Sequence, residues 1–205
     1  MLNLYRAPFS TNVERVLLAL AHKDVEAEPV WISYEDRSPV EAVSGQPLVP
    51  VLVDGDRVIV DSMAIVAHLE RRFPEPPLFP GEPARRAELE VFVDWFNRVW
   101  KVEPNAIEAE LETPAPDHAR VATLAATIDT RLDLFESLLE GREFLIGAFS
   151  AADCCSYPFL KYAAGRDAKD DELFHRILDE HQRLDGRPNL AAWIARVGTI
   201  AAPAT

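Results

Sequence analysis

Three short stretches carry side chains whose types and spacing suit them to hold a small polar molecule as well as to fold. Ser10 stands before Thr11-Asn12-Val13 and an apolar run at helical spacing, Val13, Val16, Leu17 and Leu20, so its hydroxyl falls at a helix N-terminus. There the open backbone N–H groups and the helix dipole favour negative charge, and a hydroxyl adds one donor to an anion. The same hydroxyl serves equally as a plain N-cap, a role worth about 1 kcal/mol to the helix. Asp61-Ser62 opens a second helix, whose apolar face is Ile65, Val66, Leu69 and Phe73. Its Ser62 hydroxyl and N–H can take a carboxylate and its Asp61 carboxylate an ammonium, although Asp61 also suits an N-cap. Between the two lies Gln46-Pro47-Leu48-Val49-Pro50-Val51-Leu52, in which Pro50 removes a ladder donor at the mouth of a strand. A cis Val49–Pro50 bond exposes the N–H and C=O of Val49 for strand-like pairing with an extended peptide; a trans bond leaves an ordinary strand entry.

The elements that must position these groups can be read in order. Leu2 to Tyr5 is a short strand, Ala7-Pro8-Phe9 a turn into the Ser10 helix, and Glu28 to Ser33 a second strand with Val30 and Ile32 on one side. A β-α-β unit results, expected to be right-handed. Val51-Leu52 and Val58-Ile59-Val60 flank an Asp54-Gly55-Asp56 turn, a strong hairpin signal, and the Ser62 helix follows. Phe73 to Pro83 then places five prolines in eleven residues, which can continue neither a helix nor a central strand. We read it as a linker between a domain at 1–79 and another at 84–205. Beyond it the pattern is helical throughout: Leu89, Phe92, Val93, Phe96, Val99 and Trp100 on one helix, Val121, Leu124, Ile128, Leu132, Phe135 and Leu139 on a second. Ser150-Ala151-Ala152-Asp153 has the shape of a capping box, and helices are expected over Leu173 to Leu184 and from Pro188 to Ile200. The fold class is therefore an α/β domain with a mixed sheet (βαβ-ββα) followed by an all-α bundle.

Composition excludes several functions. A formal charge of -13 leaves no clustered Lys and Arg for nucleic acid or an anionic membrane. Arg6, Asn12, Glu14 and Arg15 interrupt the first twenty residues, which fit neither a secretory signal nor a span, so a cytoplasmic protein is expected. Cys154 and Cys155 are adjacent and poorly placed for a disulfide, and no zinc spacing, Walker loop or glycine-rich nucleotide fingerprint occurs. We therefore expect neither metal nor nucleotide. Trp95, Phe96 and Trp100, at helical spacing, read first as core, while Phe9, Phe96 and Trp100 are the residues that would line an apolar pocket if one forms.

Taken together, five pieces in order resemble the cytosolic glutathione transferase superfamily over essentially the whole chain. They are Leu4-Tyr5 with Ser10-Thr11-Asn12-Val13-Glu14-Arg15-Val16-Leu17, Val49-Pro50-Val51-Leu52, Asp61-Ser62-Met63-Ala64-Ile65, Phe149 to Asp153, and Pro188-Asn189-Leu190-Ala191-Ala192-Trp193. The Ser10 run is most similar to serine-type classes such as phi and theta, in a member of bacterial type. The resemblance implies a thioredoxin-like domain joined to a helical domain, a homodimer, and glutathione or a related small thiol as co-substrate. It implies that Ser10 stabilises the thiolate, because a thiol of pKa about 8.5 is little ionised at neutral pH. It assigns Gln46, Val49, Pro50, Asp61 and Ser62 to the tripeptide, and Phe9, Phe96 and Trp100 to a small apolar electrophile, as in detoxification. A glutathione-dependent isomerase or dehalogenase and a non-catalytic binding or regulatory relative are the alternatives. Asp61 stands where most relatives have Glu, Leu48 where phi-like ones have Gln, and Arg37 is the one basic residue between Ser33 and Val49.

Overall fold

The period-two segments pair into one four-stranded sheet in a computed structural model, which describes residues 1–201. Residues 202–205, the end of the expected second domain, lie outside the described ones. Strand β1 (Leu2–Arg6) runs parallel to β2 (Glu28–Trp31) and antiparallel to β3 (Val51–Asp54), which pairs antiparallel with β4 (Arg57–Val60), giving the order β2-β1-β3-β4. Helix α1 (Thr11–His22) makes the crossover between the parallel pair. Asp54 faces Arg57, so the hairpin closes through Gly55-Asp56, with Gly55 at φ 59, a value that needs glycine's freedom. Helix α3 (Ser62–Arg72) follows at once. One element has no counterpart in the periodicity: α2 (Ser38–Ser44), seven residues long. Pro39 in its first turn and a left-handed Gly45 at its end mark both boundaries, but seven residues give too few apolar positions for a periodic pattern.

This first unit, built from Met1–Pro80, packs both faces of its sheet. Tyr5, Val30 and Val49 pack against the buried Ile32, Val40 and Val51, which brings α2 onto one face. Leu4 and Leu52 face each other in the same ladder and are both buried, so alternation sends them to the opposite face. There α1 and α3 pack together and bury Val16, Ile65, Val66 and Leu69 completely. Each such side chain contributes roughly 1.5–3 kcal/mol. The proline-rich segment is held by Lys23, whose buried ammonium donates to Glu70 Oε2 at 2.7 Å, Phe73 O at 2.7 Å and Pro76 O at 3.0 Å. Three acceptors for three N–H groups satisfy a charge that would otherwise be costly to bury.

The second unit, Gly81–Thr199, is helical. It comprises α4 (Pro83–Trp95), a π-helical turn at Phe96–Trp100, α5 (Val102–Leu111), α6 (His118–Leu138), α7 (Ala151–Leu160), α8 (Leu173–His181) and α9 (Pro188–Ala201). The apolar run from Leu89 to Trp100 is thus two pieces rather than a single α-helix. Helix α5 escapes a periodicity reading because Val-Glu-Pro-Asn at its start carries no apolar stripe. At the start of α7 the expected capping box forms. Asp153, fully buried, accepts from Leu145 N at 3.1 Å, Ser150 N at 2.9 Å, Ser150 Oγ at 3.1 Å and Trp193 Nε1 at 2.8 Å. Burial outweighs these four donors and lifts its pKa from 3.8 to about 6.

Candidate functional site

The sheet register gathers the three stretches at one end of the first unit. Tyr5 faces Val51, and Val51 faces Val60. One residue beyond this row lie Arg6, Pro50 and Asp61, so the turn to Ser10, the Val49–Pro50 entry and the Asp61–Ser62 helix start all leave the sheet at the same end. Sequence distance of fifty residues thereby becomes adjacency of three loops.

Ser10 is the N-cap of α1, as its position before the Val13 run requires. Its Oγ accepts from Val13 N at 3.4 Å, a long bond that leaves the oxygen weakly engaged. Among the described residues the hydroxyl proton has no acceptor, and the N–H groups of Thr11 and Asn12 in the first turn have no partner. The residue before it, Phe9, is held at φ 55, a left-handed value that is costly for a bulky side chain, and is 40% exposed. A half-buried donor, two open amides and a strained turn therefore coincide at one helix start. Together they suit an anion.

A second helix start repeats the arrangement. Asp61, at φ 71, caps α3 by accepting from Met63 N at 2.9 Å and Ala64 N at 3.0 Å through Oδ1 alone. Its Oδ2 is unengaged among the described residues, and Asp61 is exposed, so cap and ligand contact are compatible. Ser62 is buried, and its Oγ accepts from Arg15 Nη1 at 3.3 Å. With its acceptor side occupied, the Ser62 hydroxyl keeps its proton for another group, and its N–H is the orphan of the first turn. Arg15 was not singled out from its residue type alone. The available signal was an arginine on the buried face of α1, since Arg15 stands between Val13 and Val16 and is 2% exposed.

The Val49–Pro50 bond is cis, as the ligand reading expects. The Val49 side chain packs into the core, yet among the described residues its N–H and C=O make no hydrogen bond. Gln46 sits differently from expectation. Its Oε1 accepts from Leu48 N at 2.7 Å while its Nε2 donates to Leu48 O at 2.9 Å and Ser44 Oγ at 3.2 Å. The amide is consumed within the loop and shapes the approach to Val49 instead of reaching outward. Phe96 and Trp100 are also committed elsewhere: 0% and 1% exposed, their rings stack at 4.6 Å, edge-on to Phe135 and Phe159. They form the core of the second unit, while Phe9 stands in the open beside Ser10.

Residues 4–77 match the family described as glutathione S-transferase, N-terminal domain. Over 157 residues, 70% of this chain, the sequence is 31% identical to FtsZ-localized protein A of Caulobacter vibrioides and covers 68% of that protein. The chain belongs to the glutathione S-transferase superfamily. It is 28% identical to the glutathione S-transferase GstB of Escherichia coli K12 over 203 residues, 94% of this chain and 91% of that one. A glutathione S-transferase of Rhodospirillum rubrum superposes with a TM-score of 0.76 at 28% identity, over 97% of this chain and 88% of its own. Like these structures, this glutathione S-transferase family member joins a thioredoxin-like domain with a four-stranded mixed sheet to a helical region. Among its described residues no helix is long and apolar enough to cross a membrane.

Proposed function

We propose that the protein is a serine-type glutathione transferase that holds the glutathione thiolate at the start of α1 and presents it to a small apolar electrophile. What supports this most is the Ser10 hydroxyl: it caps α1 only through a 3.4 Å bond and has no acceptor for its proton among the described residues. Such a donor, with two open amides beside it, favours the thiolate over the thiol and so raises its population at neutral pH. The N–H and C=O of Val49 pair with the tripeptide backbone. Ser62 takes the γ-glutamyl carboxylate and Asp61 Oδ2 its ammonium, with Arg15 and Gln46 as positioning residues. Phe9 forms the wall beside the thiolate. The protein acts as a cytoplasmic homodimer in detoxification, without metal or nucleotide.

A second reading has its own observation behind it. The 31% identity to FtsZ-localized protein A favours a relative that binds another protein and does not turn over. Two measurements separate the readings. A catalyst is stabilised thermally by glutathione and conjugates a chromogenic aryl halide; a pure binding protein fails the second, and Ser10→Ala then changes nothing measurable in it. Turnover with aryl halide that is independent of glutathione overturns both.

A further inference from the structure

Beside the Ser10 turn the first unit carries an open cleft of about 600 Å³, lined by Pro8, Trp31, Ile32, Ser33, Tyr34 and Glu35. Its volume is that of a small-molecule site. Two aromatic faces stand open to solvent there, Trp31 at 59% and Tyr34 at 47% exposed. Each is flanked by an arginine: the guanidinium carbon of Arg6 lies 4.4 Å from the Trp31 ring centre, and that of Arg37 lies 4.5 Å from that of Tyr34. The fold dictates both pairs, since Arg6 faces Trp31 across the β1–β2 ladder and Arg37 caps α2 three residues after Tyr34. The Tyr34 hydroxyl donates to Pro8 O at 2.8 Å, which fastens the cleft to the turn that carries Ser10.

Charge sets this cleft apart. Arginines elsewhere, such as Arg131 and Arg187, rest on carboxylates, as expected in a chain of net charge -13. Among the described residues the guanidinium groups of Arg6 and Arg37 make neither hydrogen bond nor ion pair, and Arg6 Nε and Arg37 Nη1 are buried without an acceptor. The nearby carboxylates do not answer them: Glu35 stands on the wall unbonded to either, and Asp36 is turned to Ser38, accepting from its N–H at 3.0 Å and its hydroxyl at 2.6 Å. Two cations already stacked on aromatic rings lack only their anion.

We propose that this cleft is a subsite for a planar aromatic anion, with an aryl carboxylate as the simplest case. The ring lies on Trp31 and Tyr34, and the carboxylate accepts from the Arg6 and Arg37 guanidinium groups. Delivery of such a molecule to the thiolate rests on the function proposed above, and would make aryl acids its favoured electrophiles; binding in the cleft does not depend on it.

Isothermal titration of the full chain with 2-naphthoate and with 2-naphthamide, with and without saturating glutathione, tests the proposal. The acid should bind about tenfold more tightly than the amide of the same shape, with or without glutathione. Arg6→Gln combined with Arg37→Gln should remove that preference and keep the amide's affinity, and Trp31→Ala should weaken both ligands. The single Arg37→Gln variant, expected to lose part of the preference, serves if the double variant does not fold. Equal binding of acid and amide overturns the proposal, as does a preference that survives the arginine changes. Competitive displacement of naphthoate by glutathione also overturns it, because the arginines then belong to the tripeptide's own carboxylate. Binding is read without any turnover, so a failed transferase assay leaves this result intact, and the reverse holds too.

Discussion

Helix starts in the two units are capped by the same residue types and left in opposite states. At α7, Ser150 and Asp153 close on each other, and every partner is used: Asp153 accepts four hydrogen bonds and is fully buried. At α1 and α3 the caps are partial. Ser10 holds one amide at 3.4 Å, Asp61 uses one of its two oxygens, and Ser62 is engaged only as an acceptor. Both open starts also follow a residue at positive φ, Phe9 and Asp61, whereas the N-cap of α7 is extended at φ -152. A cap that satisfies everything is architecture. One that keeps donors in reserve, beside backbone strain that the surrounding fold must hold, is prepared for a ligand.

The contrast predicts unequal responses to similar substitutions. Asp153→Ala should be the most damaging, because it strands Trp193 Nε1 and the amides of Leu145 and Ser150 in the interior; a loss of about 4 kcal/mol in denaturant unfolding is expected. Next comes a pH effect of the same carboxyl. Its folded pKa of about 6 lies above the unfolded 3.8, so between those values the folded chain keeps a proton that the unfolded chain has released. The contribution of this group therefore favours the fold on the acid side and is lost as pH rises through about 6, by about 3 kcal/mol in all. The difference in unfolding free energy between the wild type and Asp153→Asn, followed from pH 4 to pH 7, should fall by that amount, and a difference that rises would reverse the assignment. Ser62→Ala should behave oppositely to Asp153→Ala: a stability change of under about 1 kcal/mol, but about tenfold weaker glutathione binding by calorimetry.

Much of this fold is legible in the residues because single, strong local signals set it. The Asp54-Gly55-Asp56 turn, the prolines from Phe73 to Pro83 and the Ser150–Asp153 box each have one favourable solution, and each is found where it was expected. Helices α2 and α5 were not legible, one too short and the other without an apolar stripe. In the site, residues tied to helix starts were readable from capping chemistry alone. Side-chain direction was not: Gln46 turns back on Leu48, Phe96 and Trp100 turn into the core, and Arg15 reaches from α1 to Ser62. Spacing along a chain gives the face of a helix, but which partner a long side chain finds depends on contacts fifty residues away.

Steady-state conjugation of glutathione to a chromogenic aryl halide by Ser10→Ala, alongside its thermal unfolding, tests the reserve-donor account most directly. Loss of a donor aimed at a developing or resident anion lowers kcat/KM by about 100-fold, while loss of so weak a cap costs at most about 1 kcal/mol of stability. A variant that is as active as the wild type, or one whose activity falls only because it unfolds, contradicts it.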